Sequence, residues 1–121
     1  MKIVLTTTTS DIAAEVDPRF GRGAYFLLVD TDTDKWEAHA NPGVGAAGGA
    51  GIKAAQFVAE QGAKAAISGN FGPNAYDSLK AAGIPMYQFG TCRTAQEAID
   101  KFKAGELKEL TAPGGAGRKR R

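Results

Sequence analysis

The segment Gly43–Gly51, GVGAAGGAG, constrains this chain most. An uncharged, glycine-dense loop runs straight into AGIKAAQFVAEQG, which has the apolar spacing of a helix. Glycine reaches positive φ and lets a backbone come close to a ligand, so such a loop can turn several amide N–H groups toward one point. The first turn of the helix adds unpaired amides and the positive end of its dipole. An anion suits that arrangement, and the plain alternative is a tight or mobile connection. Gly43, Gly45 and Gly48 also fit the spacing G-x-G-x-x-G, but the preceding run is polar and ends in Asn41 and Pro42. No acidic residue stands about 20 positions on to hold a ribose, and no P-loop motif occurs.

The remaining chain reads as one α/β domain of residues 1–111 followed by a disordered basic tail, residues 112–121. Strands are expected at Lys2–Thr7, Ala24–Asp30, Lys35–Asn41, Lys64–Ser68 and Ile84–Phe89. Helices are expected behind the glycine loop, with Ile52, Ala55, Val58, Ala59 and Gly62 as the packing face, and at Pro73–Ala82. A third helix starts at a capping box made by Thr94 and Glu97 and stops at Gly105. The first three strands form a meander, and right-handed crossovers place the last two parallel to the first. Loops after strands one, three, four and five then open at one sheet edge, the usual place for a ligand in open α/β folds.

Charge sharpens the anion reading. Arg118, Lys119, Arg120 and Arg121 outweigh the whole net charge of +2, so the body of the chain is slightly acidic and general nucleic-acid binding is not suggested. Outside the tail the arginines are Arg19, Arg22 and Arg93, and each falls in a loop at that shared edge. A guanidinium stays ionised and offers a flat fork of donors, which suits oxyanions and sulfide-bearing anions. Solvated loop arginines, or pairs with Asp11, Glu15 or Asp17, are the alternative. Phe20 and Phe71 could line an apolar wall, whereas Tyr25 is a core residue.

Cys92 is the single cysteine and His39 the single histidine, so one chain cannot assemble a conventional Cys/His metal site. Cys92 beside Arg93 is either a reactive thiol and soft-metal contact or an inert buried residue. His39 reads as an ordinary edge-strand residue, with metal contact as the lesser option. No stretch resembles a signal peptide or could span a bilayer, which makes the cytoplasm the default compartment.

The pattern of MKIVLTT, FGRGAYFLLVD, NPG with its glycine run, AAISGNFGPNAYDSLKAAGI and GTCRTAQEAIDKFKAGEL resembles the dinitrogenase iron-molybdenum cofactor-binding family over about residues 1–110. It is most similar to the small single-domain members from anaerobes. The resemblance implies a ribonuclease H-like three-layer α/β fold, with three helices and a five-stranded mixed sheet in the order 3-2-1-4-5. It also implies carriage, without catalysis, of a preformed anionic cluster of the molybdenum-copper sulfide type or otherwise of the iron-molybdenum type. The positions matching the family's motifs are Phe20, Gly21 and Arg22, then Asn41 and Pro42, then Gly48, Gly49 and Gly51, and finally Gly72 and Pro73. Many members carry His directly before the FG pair, where this chain has Arg19. A cluster here would bring its own sulfides and be held from outside by guanidinium groups, amides and apolar walls. A cluster-free interaction module that partners a P-loop ATPase is the competing reading. A nuclease of the same fold would need clustered carboxylates, including one on the first strand, and Lys2–Thr9 has none.

Overall fold

The computed structural model describes residues 1–46 and 48–111. Its strands are β1 (Lys2–Thr7), β2 (Tyr25–Asp30), β3 (Trp36–Ala40), β4 (Ala65–Ser68), β5 (Met86–Gln88) and β6 (Lys108–Leu110), and its helices are α1 (Ala50–Glu60), α2 (Pro73–Ala81) and α3 (Ala95–Lys103). The sheet runs β3-β2-β1-β4-β5-β6. β1, β4 and β5 are parallel, while β2 is antiparallel to β1 and β3, and β6 is antiparallel to β5. The meander and both crossovers follow the expected topology, and the sheet has six strands where five were expected. Residues 112–121, expected as a disordered tail, lie outside the described residues.

Strand periodicity divides the core into two layers. Val4, Phe26, Leu28 and Ala66 meet Ala54, Ala55 and Val58 of α1 and Ala75, Tyr76 and Leu79 of α2. Ile3, Leu5, Leu27, Val29, Ala65 and Ile67 meet Ala95, Ala98 and Ile99 of α3, with Phe89 and Cys92 beside them. β2 is apolar from Phe26 to Val29 because these residues feed both layers in alternation, as a strand covered on both faces must.

The α1 packing face is turned from its expected position. Ala50, Ala54, Ala55 and Val58 are buried, Ala59 is exposed, and Ile52 is 40% exposed. Small side chains explain the turn, since they let the α1 backbone come close to α2. A Cβ on Gly51 would sit 3.1 Å from the Ala75 Cβ and 3.2 Å from its N.

Candidate functional site

Two loops and two helix starts meet on the α1/α2 side of the sheet edge. They form a cleft of about 270 Å³ lined by Arg19, Phe20, Gly21 and Arg22 from the β1–β2 loop, Ala50 and Gly51 from α1, and Asn70, Gly72, Pro73, Asn74 and Ala75 from the β4–α2 loop and α2. Close backbone approach holds these pieces together. Gly21 abuts Gly51, with an added Cβ 3.2 Å from the Gly51 Cα. A Cβ on Gly43 would press on the Gly21 carbonyl oxygen and lie 2.6 Å from that of Ala50. Asn41 fastens the same junction from beneath: its Nδ2 donates to the Phe20 carbonyl (3.0 Å) and its Oδ1 accepts from the Gly43 amide (2.8 Å). The N-P-G sequence therefore ties the β1–β2 loop to the glycine loop.

Neither helix start has a side-chain cap. Gly49 precedes α1 in the left-handed region (φ 70°), no side chain bonds the first turn, and that turn has no acidic residue. Gly72 precedes α2 in the extended region, with Pro73 at the first position and again no acid. Their free amides and dipoles favour negative charge in the cleft. Phe20 forms part of the lining, while Phe71 lies fully buried with its ring centroid 5.0 Å from that of Phe20. Phe71 thus backs Phe20 and does not itself line the cleft.

Arg19 is anchored by Asp17, a carboxylate only 3% exposed. Asp17 Oδ1 accepts from the Arg19 amide (3.0 Å) and from Nε (3.2 Å), and Oδ2 accepts from Nη2 (3.2 Å). Burial alone would raise the Asp17 pKa, but the hydrogen bonds and charge of Arg19 outweigh it and hold the carboxyl below its ordinary value. The pair's contribution to stability is therefore present above the unfolded carboxyl pKa, about 3.9, and is lost as pH falls through the lower folded value. Arg22 Nη1 donates to the Ala46 carbonyl (3.1 Å), which links the β1–β2 loop to the glycine loop at the surface. Gly48 and Gly49 are exposed along the approach to α1 and do not line the cleft.

The structure does not bring the other expected residues here. Arg93 and Cys92 lie in the β5–α3 loop, where the Arg93 carbonyl accepts from Val16 N (3.0 Å) and Cys92 packs in the α3 layer. Of the two readings of Cys92, the inert buried residue fits: burial, with the nearby Glu97, pushes the thiol pKa up. A reactive thiol is thereby disfavoured. His39 Nε2 lies 2.8 Å from Glu37 Oε1, and its ring packs 5.4 Å from Phe57. Among the described residues, no three His, Cys, Asp or Glu side chains gather to hold a bare metal ion. Among the same residues no helix is long and apolar enough to cross a membrane.

Sequence reasoning gave the FGR, G-P and glycine segments but missed Asn70, Asn74 and the close packing at Gly43. The N-P-G triplet was the available signal for Gly43, because an Asn two residues before a Gly amide is placed to bond it.

Known proteins are similar to this chain in sequence and in fold. An uncharacterised protein of Methanocaldococcus jannaschii is 30% identical over 113 residues, which are 91% of this chain and 92% of that one. The apo form of the orange protein from Desulfovibrio gigas superposes with a TM-score of 0.88 at 36% identity, covering 93% of this chain and 95% of its own. A NifB-like protein from Thermotoga gives a TM-score of 0.83, also at 36% identity, over 96% of this chain and 98% of its own. The profile of the family described as dinitrogenase iron-molybdenum cofactor matches residues 1–105, and the chain belongs to that family.

Proposed function

We propose that this chain is a cytoplasmic, non-catalytic carrier of a preformed anionic metal-sulfide cluster. The type we assign is molybdenum-copper sulfide, with an iron-molybdenum cluster as the variant. One observation carries the reading: two helix starts with neither side-chain cap nor acid open onto the cleft that Arg19 and Arg22 line. The donor set fits such cargo. N–H groups from guanidinium and backbone suit the outer sulfides of an anion, and an aromatic floor keeps one side of it dry. The protein offers no cluster of metal ligands among the described residues, so the metals would arrive already coordinated by sulfide.

In this reading Arg19 and Arg22 donate to the cluster, Gly21, Gly51, Gly72 and Pro73 let it approach the backbone, and Phe20, backed by Phe71, supplies the floor. Gly48 and Gly49 shape the path into α1, and Asn41 with Pro42 holds the loops in register. Arg93, Cys92 and His39 have no role in it. The likeness to the orange protein and the family membership agree with the reading, whereas the module that partners an ATPase gains no support from the relatives. Anaerobic reconstitution with tetrathiomolybdate and copper, followed by gel filtration and metal analysis, tests it. Molybdenum and copper co-eluting with the protein is the expected result, and protein emerging free of both metals overturns the proposal.

A further inference from the structure

Asp17 is a charged side chain buried where the cluster reading has no obvious use for a negative group. It lies directly behind a cleft meant for an anion, so by Coulomb's law alone it should weaken binding. The structure nevertheless fixes it with care. The Asp17 amide donates to the Thr6 carbonyl (2.9 Å), and the Thr6 hydroxyl donates to the Asp17 carbonyl (2.6 Å). The Thr6 and Ser68 hydroxyls lie 2.8 Å apart, and Ser68 Oγ also reaches the Asp17 carbonyl at 3.5 Å. Thr6, Ser68 and Asp17 are all buried. This hydroxyl pair at the ends of two central strands sets the height of Asp17 over the sheet.

The carboxylate in turn occupies the Nε–H and one Nη2–H of Arg19, leaving the outer donors of the guanidinium unused by it. The Arg19 side chain is 66% exposed, so without that clamp it would sample many rotamers in water. The clamp also cancels the net charge of Arg19, which leaves oriented N–H groups as its contribution.

Resting on the carrier reading above, we propose that Asp17, seated on the Thr6–Ser68 hydroxyl pair, is a positioning residue that presets Arg19 to present its free N–H edge to the anionic cluster. Binding then avoids the ordering of one long side chain, an effect of about three- to tenfold in retention. Orientation and electrostatics predict opposite signs when the carboxylate is removed, which makes the proposal testable.

The experiment compares wild type, Asp17→Asn, Arg19→Lys and Arg19→Ala as full chains. Retention of tetrathiomolybdate with copper after anaerobic gel filtration is one readout, and the Arg19 Nε–H resonance of the ligand-free protein is the other. The expected result is a sharp, exchange-protected Nε–H signal that disappears in Asp17→Asn, with cluster retention three- to tenfold lower in that variant. Asp17→Asn retaining as much cluster as wild type, or more, overturns the proposal. If Asp17→Asn does not fold, Arg19→Lys decides: it keeps the charge but loses the fork, so retention near that of Arg19→Ala supports positioning and retention equal to wild type overturns it. Wild type that retains no cluster sinks the carrier reading alone. The resonance still judges the clamp, which stands if Asp17→Asn abolishes the signal and falls if the signal survives.

Discussion

The starts of α2 and α3 face the same edge of the sheet and are built in opposite ways. At α3, Thr94 accepts from the Glu97 amide (3.2 Å) while Glu97 Oε1 accepts from the Arg93 amide (3.0 Å), so the helix satisfies itself and carries its own negative charge. The expected capping box is there, with the acid reaching one residue further back than usual. At α2 the cap is Gly72, which has no side chain to lend, and the first turn is free of acid. α1 repeats that bareness with Gly49. A helix start capped by Gly in place of a polar side chain gives up about a few tenths of a kcal/mol. On the carrier reading proposed above, two such starts opening on one arginine-lined cleft take their missing partner from outside. On that reading one edge divides into a closed structural half and an open receptive half.

The largest effect should come from testing that division with the arginines. Arg19→Ala with Arg22→Ala removes donors from the open half, whereas Arg93→Ala removes one from the closed half. Hydrogen bonds to charged groups are worth about 1.5–3 kcal/mol each, so the double variant should lose at least about a hundredfold in cluster retention. Arg93→Ala should retain cluster like wild type. Metal content after anaerobic gel filtration reads both, and equal losses from the two replacements would dissolve the distinction between the halves.

Glycines give the next contrast, inside the open half itself. A methyl at Gly43 runs into backbone oxygens of Gly21 and Ala50, which cannot swing aside. Gly43→Ala should therefore destabilise by about 1–3 kcal/mol, seen as a lower urea midpoint with unchanged slope. At Gly72 an added Cβ meets no protein atom within 4 Å, and φ of −66° suits alanine. Gly72→Ala should keep stability within about 0.5 kcal/mol yet reduce cluster retention, because the methyl is added to a residue that lines the cleft. A Gly72→Ala chain that binds normally would place the cargo away from the α2 start.

Much of this division was legible in the sequence, and its limits have physical causes. β1 was readable because Ile3, Val4 and Leu5 form a continuous apolar run, and α3 because its cap and its i, i+3, i+4 apolar spacing agree. β6 was not, since Lys-Glu-Leu has no apolar run and becomes a strand only by pairing with β5, Met86 opposite Leu110. The α1 face was read in part: Ala55 and Val58 are buried as expected, but Ile52 and Ala59 are exposed because the close Gly51–Ala75 approach turns Ala50 and Ala54 inward instead. Topology brings these loops to one sheet edge, but an edge has two faces. Arg93 was grouped with Arg19 and Arg22 because loop order does not say which core layer a loop joins. The Asp17–Arg19 pair was among the alternatives for the loop arginines, but an irregular loop has no periodicity to choose Asp17 over Asp11 or Glu15.

The smallest effects come from exchanging the character of the two helix starts. Asn74→Asp places an acid in the first turn of α2, as Glu97 does in α3. Against the helix dipole it should stabilise the fold by about 0.3–1 kcal/mol, a rise of a few degrees in Tm at this chain length. The same charge lies on the cleft lining, so cluster retention should fall severalfold. Thr94→Ala works the other way: α3 loses its cap, stability drops by about 1 kcal/mol, and retention stays level. Stability and binding then move in opposite directions at α2 and independently at α3, as a receptive and a structural helix start should. If Asn74→Asp raises Tm with cluster retention undiminished, the bare start of α2 is an accident of its glycine and proline, and the cargo is held by the arginine loop alone.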